Sequence, residues 1–429
     1  MKVCPANRLT GEIMLPGDKS ISHRSVMMGS IVEGTTSISN FATSADCAST
    51  IECFRGLGIA IERNGRTVTV EGKGKHGLEK PNSPLDCGNS GTTMRLVAGI
   101  LAGQPFDSIL TGDESLRSRP MKRIIDPLTA MGGQIESLDG RAPLTIRGRE
   151  ITGIEYRPPV ASAQIKSCVL LAGLFARGQT AVIEATPTRD HTEIMLRQFG
   201  VDVYVSSQAD ATRISVYGDA KLSGTTVNVP GDISSAAFFM VAAASLAGSR
   251  LKLVNVGLNP TRSAVIDLLR RLGVPVKVEQ YAHGVGEPAG DVIIDGGIEG
   301  GGSANVLSGP IIANVIDELP VLAVLGTQLE RGLEVRDARE LRVKESDRIA
   351  SVVTNLKKMG ADVEEFDDGF RVARSRLSGA EVDSFGDHRI AMAFAVAGLL
   401  ADGETTISGA ECVDVSFPGF FDVLAEVTE

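Results

Sequence analysis

The chain has 429 residues, 43% hydrophobic and only 4% aromatic, with a formal net charge of −10. This length exceeds one ordinary core, so two domains are expected. The acidic balance argues against a general nucleic-acid surface. The longest apolar run, Ala236 to Ala247, is too short to span a bilayer. The N-terminus has no apolar leader core, and the six cysteines form no CxxC and no metal spacing. These features predict a cytoplasmic protein with reduced thiols and no metal.

In chain order, the strand-like residues 11–15 end at Pro16-Gly17 and open Gly17-Asp18-Lys19-Ser20-Ile21-Ser22-His23-Arg24, ahead of a helix expected over 25–32. A glycine turn into a helix start offers free N–H groups and partial positive charge. Lys19 adds a point charge, Ser20 a hydroxyl and Arg24 a planar fork. Taken alone, the segment reads equally as a capped helix with solvated charges. Gly88-Asn89-Ser90-Gly91-Thr92-Thr93-Met94-Arg95 opens the next apolar helix and in isolation is an N-cap with a tight turn. Arg117 and Arg119 then precede a helix start; alone, they read as surface charge.

Ser162-Ala163-Gln164-Ile165-Lys166-Ser167 starts a further helix, followed by Thr188-Arg189-Asp190-His191-Thr192-Glu193. His191 and Glu193 match no zinc spacing, so His191 reads as structural. A second alternating strand over 224–229 ends in Pro230-Gly231-Asp232, an echo of Pro16-Gly17-Asp18. The echo predicts two matching halves with domain crossings at these turns: one domain over 15–227, the other joining 1–14 to 228–429. Glycine-rich stretches at 283–290 and 296–302 read as loops. Asp317 and Glu318 abut an apolar helix expected from Val321 to Gly326, either as helix-end charges or as carboxylates aimed into a cleft. Lys344 and Arg348 are spaced i,i+4 for one helical face, with Glu345 beside them. Gly386-Asp387-His388-Arg389 opens the last long apolar helix.

A repeat underlies these segments. Helix-like runs close at Leu57-Gly58, Met131-Gly132, Phe199-Gly200, Leu272-Gly273 and Met359-Gly360, about 70 to 90 residues apart, each followed by a strand-like run. A second set of helices ends near Gly34, Gly103, Gly178, Gly248, Gly332 and Gly403. The unit is strand, helix, strand, helix, then strands, in six copies, the last cut short near Phe417-Pro418. If the copies pack in register, Lys19, Arg24, Arg119, Arg189, Lys344, Arg348 and Arg389 gather on one side with Asp317 and Glu345. That composition suits polyanionic substrates handled by internal acid/base groups.

The ordered set Gly-Asp-Lys-Ser-Ile-Ser-His-Arg, Gly-Asn-Ser-Gly-Thr-Thr-Met-Arg, Arg342-Val343-Lys344-Glu345-Ser346-Asp347-Arg348 and Gly386-Asp387-His388-Arg389-Ile390-Ala391-Met392 resembles the 5-enolpyruvylshikimate-3-phosphate synthase family across essentially the whole chain. Ser162-Ala163-Gln164 and Thr188-Arg189-Asp190-His191 resemble its second class. The resemblance implies an α/β fold of two similar domains, each of three βαβαββ repeats around a pseudo-threefold axis, with the active site in the interdomain cleft. The implied reaction moves the enolpyruvyl group of phosphoenolpyruvate to the 5-hydroxyl of shikimate 3-phosphate and releases phosphate. It implies no metal or organic cofactor, no nucleic acid or membrane partner, and a monomer.

By motif position, the resemblance implies shikimate 3-phosphate contacts at Lys19, Ser20, Arg24, Ser162, Ala163, Gln164, Arg189, Asp317 and Lys344. It implies phosphoenolpyruvate contacts at Lys19, Gly91, Arg119, Gln164, Arg348 and Arg389, with Asn89 and His388 as accessories. Domain 15–227 would hold mainly shikimate 3-phosphate and the discontinuous domain mainly phosphoenolpyruvate. Asp317 is implied to take the hydroxyl proton. Glu345 is implied to protonate the methylene carbon, with Lys19 as competitor. Two residues depart from the pattern. Val415 and Ser416 stand before Phe417-Pro418, where a family lysine is often found. Leu96 stands where herbicide-sensitive members have proline, which predicts weakened inhibition by glyphosate. The UDP-N-acetylglucosamine enolpyruvyl transferase is the nearest rival, but its Lys-Asn first motif and loop cysteine are missing. A non-catalytic anion-binding scaffold would need neither Asp317 nor Glu345, and the charge and matched halves disfavour an RNA-end cyclase.

Overall fold

The computed structural model describes residues 1–208, 210–282, 284–298 and 305–429. The chain forms two compact units. One is continuous, Gly17–Val229, with residues 284–287 added; the other is split into Met1–Pro16, Pro230–Ala282 and Pro288–Glu429. Residues 283 and 299–302 of the two expected glycine-rich loops lie outside the described residues. Ala289 and Gly290, expected in a loop, begin the strand Ala289–Asp295.

Among the described residues each unit is built from three sheets, and five of these six share one strand order. In Leu85–Asp86, Asp107–Thr111, Arg141–Arg147 and Gln134–Leu138, the first two strands run parallel and the last two form an antiparallel hairpin. A helix fills each of the two connections before the hairpin, giving βαβαββ. The sixth sheet has three strands: Glu381–Asp383 runs parallel to Thr405–Ser408, and Lys2–Val3 pairs antiparallel to the latter. The N-terminus therefore completes the truncated last repeat.

The first strand of copies one and four is not where simple repetition puts it. Thr10–Met14 precedes the Lys19–Ile31 helix in sequence but pairs in parallel with Arg250–Gly257, in the sheet of copy four. Thr226–Asn228 precedes the Ile233–Ser245 helix but pairs in parallel with Glu33–Ser39, in the sheet of copy one. Each copy thus takes its first strand from the segment before the other's helix, and the chain passes between units at Pro16/Gly17 and Val229/Pro230. Gly17 is required there, because a Cβ on it would sit 1.8 Å from the Asn40 carbonyl oxygen.

Two classes of helix follow from composition. The first helix of each repeat is apolar or small beyond its first two turns and is buried almost all round: Lys19–Ile31, Gly91–Ala102 and Ala163–Gly173 in one unit, and Ile233–Ser245, Leu319–Gly326 and His388–Leu400 in the other. Alanines and glycines let these helices approach one another at the centre of each unit. The second helices, such as Ala264–Arg271 and Arg348–Lys358, bury one face only. All five joint glycines have φ between +82° and +97°, as a helix C′ position favours. Gly103 differs: it caps its helix at φ −96°, and a Cβ there would lie 2.4 Å from Phe175 Cβ. No helix among the described residues is long and apolar enough to cross a membrane.

Gly360 has φ +82°, and a Cβ added to it would meet nothing within 4 Å, so the cost of a substitution there is backbone strain alone. Gly360→Ala is expected to destabilise by about 1–2 kcal/mol, and Gly360→Asn by less because asparagine tolerates this conformation. Thermal denaturation of the two variants beside wild type checks the ranking.

Candidate functional site

The charged side chains of these buried helices all fall within their first two turns, and the motifs sit there. Asp18 caps the first helix, its Oδ1 accepting from Ile21 N at 2.9 Å, so the helix begins at Lys19 and not at 25 as expected. Asp18 as N-cap outweighs the glycine turn, and Lys19 and Ser20 lie in the first helical turn. Lys19 Nζ pairs with Asp46 Oδ2 at 2.9 Å. Arg24, one turn on and 4% exposed, donates to Thr192 Oγ1 (2.7 Å), the Ser20 carbonyl (2.9 Å) and Ser167 Oγ (2.9 Å). Burial lowers its guanidinium to about 10, still charged at neutral pH.

Ser90 caps the Gly91–Ala102 helix and Ser162 caps Ala163–Gly173. Gln164 bridges these two helices, its Oε1 accepting from Arg95 Nη1 at 2.7 Å and its Nε2 donating to Thr92 Oγ1 at 3.1 Å. Arg119 Nη2 donates to Asn89 Oδ1 at 2.7 Å. A Cβ on Gly91 would lie 2.8 Å from Arg95 Nη1 and 3.6 Å from Arg119 Nη1, so both guanidinium groups border that turn. Burial, then the charges of Arg119 and Arg123, lower Arg95 to about 10. A buried chain joins the first two motifs: His23 Nδ1 to Thr50 Oγ1 (2.6 Å), Thr50 to Thr93 Oγ1 (2.7 Å), and Thr93 to Ser90 Oγ (2.8 Å). The continuous unit therefore brings together Lys19, Ser20, Arg24, Asn89, Gly91, Arg119, Ser162, Ala163 and Gln164. Arg189 lies on the loop just before His191–Gln198, the helix whose Thr192 holds Arg24.

In the split unit, Arg348 is 1% exposed and surrounded by acids: Nε to Asp387 Oδ2 at 2.8 Å, Nη2 to Glu345 Oε2 at 2.6 Å, and Nη1 to Asp317 Oδ1 at 3.5 Å. Arg389 Nη1 donates to the Asp317 carbonyl at 3.0 Å, and its Nη2 lies 3.9 Å from Asp317 Oδ2. Burial works against the charged form of Arg389, but the carboxylates of Asp317, Glu318, Asp232 and Glu345 outweigh it and hold the group cationic. The apolar helix after Asp317 starts at Leu319, two residues earlier than expected.

Lys344 and Arg348 do not share a helical face. Lys344 ends a short 3-10 turn, Arg339–Val343, and pairs with Glu340 at 2.7 Å, whereas Arg348 starts a new helix capped by Asp347. The Asp347 cap breaks the continuous helix that the spacing suggested. His388 is the first residue of its helix and is 5% exposed. His191, read as structural, is buried and meets Glu287 Oε1 at 2.7 Å. Among the described residues, no group of three or more metal-ligating side chains is placed to hold an ion.

Sequence reasoning passed over four charged residues. Arg95, Lys166 and Asp387 lie within the motifs with no role assigned to them, and Asp46 lies in no motif. Its signal was the helix start after Ser44, where an acid in the first turn is ordinary.

Known proteins share this architecture. The family model for EPSP synthase (3-phosphoshikimate 1-carboxyvinyltransferase) matches residues 3–424. A relative from Koribacter versatilis (strain Ellin345), named 3-phosphoshikimate 1-carboxyvinyltransferase, is 52% identical over 431 residues, covering 100% of this chain and 99% of its own. One of the same name from Brevibacillus brevis is 49% identical over 436 residues, with both chains fully covered. Among solved structures, an EPSP synthase from Acinetobacter baumannii superposes with a TM-score of 0.90 at 44% identity, covering 100% of this chain and 98% of the other.

Two outcomes follow from the buried charges. Asp387→Asn keeps the helix cap, since Oδ1 still accepts from Arg389 N, but removes a charge from Arg348. It is expected to cost about 3 kcal/mol in chemical denaturation, as breaking a fully buried pair does. Burial pushes the His23 imidazole down to about 3 from 6.5. Between those pH values only the unfolded chain binds the proton, so stability falls as pH drops from about 6.5 towards 3, by about 1.4 kcal/mol per unit. His23→Gln is expected to flatten that slope by one proton, read from urea midpoints across the range.

Proposed function

This chain belongs to the EPSP synthase family, and from that membership we propose that it transfers the enolpyruvyl group of phosphoenolpyruvate to the 5-hydroxyl of shikimate 3-phosphate, releasing phosphate, on the route to chorismate and the aromatic amino acids. The observation that carries the reading is the cluster of Arg348 and Arg389 around Asp317 and Glu345. It supplies cations for an anionic substrate and carboxylates for proton transfer in one place. The rival sugar-nucleotide transferase and the non-catalytic scaffold have no such support from the relatives.

The residue roles are part of the proposal. Lys19, Ser20, Arg24, Ser162, Ala163, Gln164, Arg189, Asp317 and Lys344 bind shikimate 3-phosphate. Lys19, Gly91, Arg119, Gln164, Arg348 and Arg389 bind phosphoenolpyruvate, with Asn89 and His388 in support. Bidentate guanidinium groups match a carboxylate or phosphate plane. The continuous unit serves mainly shikimate 3-phosphate and the split unit mainly phosphoenolpyruvate. The enzyme works as a cytoplasmic monomer, with no cofactor and no nucleic-acid or membrane partner.

In the chemistry, protonated Glu345 gives its proton to the methylene carbon of phosphoenolpyruvate, leaving positive charge at C2. Asp317 takes the proton of the 5-hydroxyl as that oxygen attacks C2, forming a tetrahedral ketal. Loss of phosphate breaks the C2–O bond, and the methyl carbon returns a proton to the Glu345 carboxylate. Glu345 is 34% exposed on its side chain, which lets it exchange protons with its surroundings, while Asp317 at 14% is more sheltered. Lys19 is the competing donor.

Phosphate release from phosphoenolpyruvate is expected only when shikimate 3-phosphate is present, and Glu345→Gln and Asp317→Ala are each expected to lower kcat at least about 100-fold. Near-wild-type turnover in both variants discards these roles. Leu96 is fully buried within the Gly91–Ala102 helix. Glyphosate is expected to inhibit this enzyme less than its proline-bearing relatives, compared by inhibition constants under one condition.

A further inference from the structure

Lys166 is 1% exposed, yet it carries an ammonium group in the core of the continuous unit. Its Nζ lies 2.9 Å from Glu184 Oε2 and 2.7 Å from Glu193 Oε1, and it donates to the Thr188 carbonyl at 3.3 Å. Thr188 Oγ1 in turn donates to the other oxygen of the same carboxylate, Glu184 Oε1. The loop 185–190, between the strand Gln179–Glu184 and the helix His191–Gln198, is thus tied at Thr188 by both backbone and side chain. The next residue is Arg189.

The same Lys166 helix carries Ser162 at its cap, Gln164 in its first turn, and Ser167, which accepts from Arg24. A tie from Lys166 to Thr188 therefore sets Arg189 in register with Arg24, Ser162 and Gln164. Scaffolding alone does not call for this arrangement. A buried ionic group is often replaced by apolar packing without loss of stability, and the Thr188 hydroxyl sits on a partly exposed loop. Ordering a loop before a ligand arrives removes that entropy cost from binding.

We propose that Lys166, Glu184 and Thr188 form a clamp that positions Arg189 for the phosphate of shikimate 3-phosphate. This rests on the reading that Arg189 contacts that substrate. The three act through Arg189 and are positioning residues. Glu193 balances the remaining charge of Lys166.

Thr188→Val removes the hydroxyl arm of the tie with little change of volume, leaving the bond to the Thr188 carbonyl, and Glu184→Gln weakens the contacts of that carboxylate to both Lys166 and Thr188. Each is expected to raise KM for shikimate 3-phosphate about tenfold, the scale of one hydrogen bond to a charged group. KM for phosphoenolpyruvate, kcat and the thermal midpoint of Thr188→Val are expected to stay close to wild type. Arg189→Ala, measured beside them, is expected to raise the same KM at least as much. If Arg189→Ala raises that KM and Thr188→Val does not, the clamp is overturned while the substrate reading stands. If Thr188→Val raises both KM values and lowers the thermal midpoint, its role is structural and the proposal is likewise overturned. An unchanged KM in Arg189→Ala removes the role of Arg189 and the purpose of the clamp with it.

Discussion

The helices buried on all sides carry their charged side chains only within their first two turns, and the rest of this protein is arranged around that constraint. Six such helices form the centres of the two units, three in each. Beyond those turns they are small or apolar residues with an occasional serine, packed too closely to admit a charge. Their first turns must satisfy free N–H groups, and five of the six use an aspartate or serine cap with a side-chain hydrogen bond: Asp18, Ser90, Ser162, Asp232 and Asp387. The cap, the partial positive charge of the helix end and the nearby cations then occupy the same small volume. The motifs of this chain are the sequence trace of that crowding.

The charges gathered there are kept in balance by direct pairing. Arg348 meets Asp387 and Glu345 and lies near Asp317; Lys166 meets Glu184 and Glu193; Lys19 meets Asp46. Burying an ion without such partners would cost several kcal/mol. Each of these cations meets a carboxylate, yet some members of the pairs remain partly open: Lys19 is 29% exposed on its side chain and Glu345 34%. Pairing deep in the core and openness at the helix ends is what a site for anionic ligands requires.

The membership of the EPSP synthase family and the six-sheet architecture agree at the level of repeats. The exchange of first strands between copies one and four explains how one chain builds two units and crosses between them at two matching Pro-Gly turns. At each turn the strand before the glycine stays in one unit and the helix after it belongs to the other, so a motif that reads as one repeat is shared by two.

The sequence by itself determined the α/β class, the sixfold periodicity, the joint glycines and the helix-start motifs. These rest on local rules: period, capping and the need for positive φ act over a few residues. It carried the resemblance from which the family was named. Tertiary structure alone decided the pairing of Thr10–Met14 with Arg250–Gly257 and the completion of the last sheet by Lys2–Val3. It also decided which carboxylate meets which cation, including Asp46, Asp387, Glu184 and Glu193. Such pairings join residues distant along the chain, and their energy depends on burial and distance, neither of which a local pattern encodes.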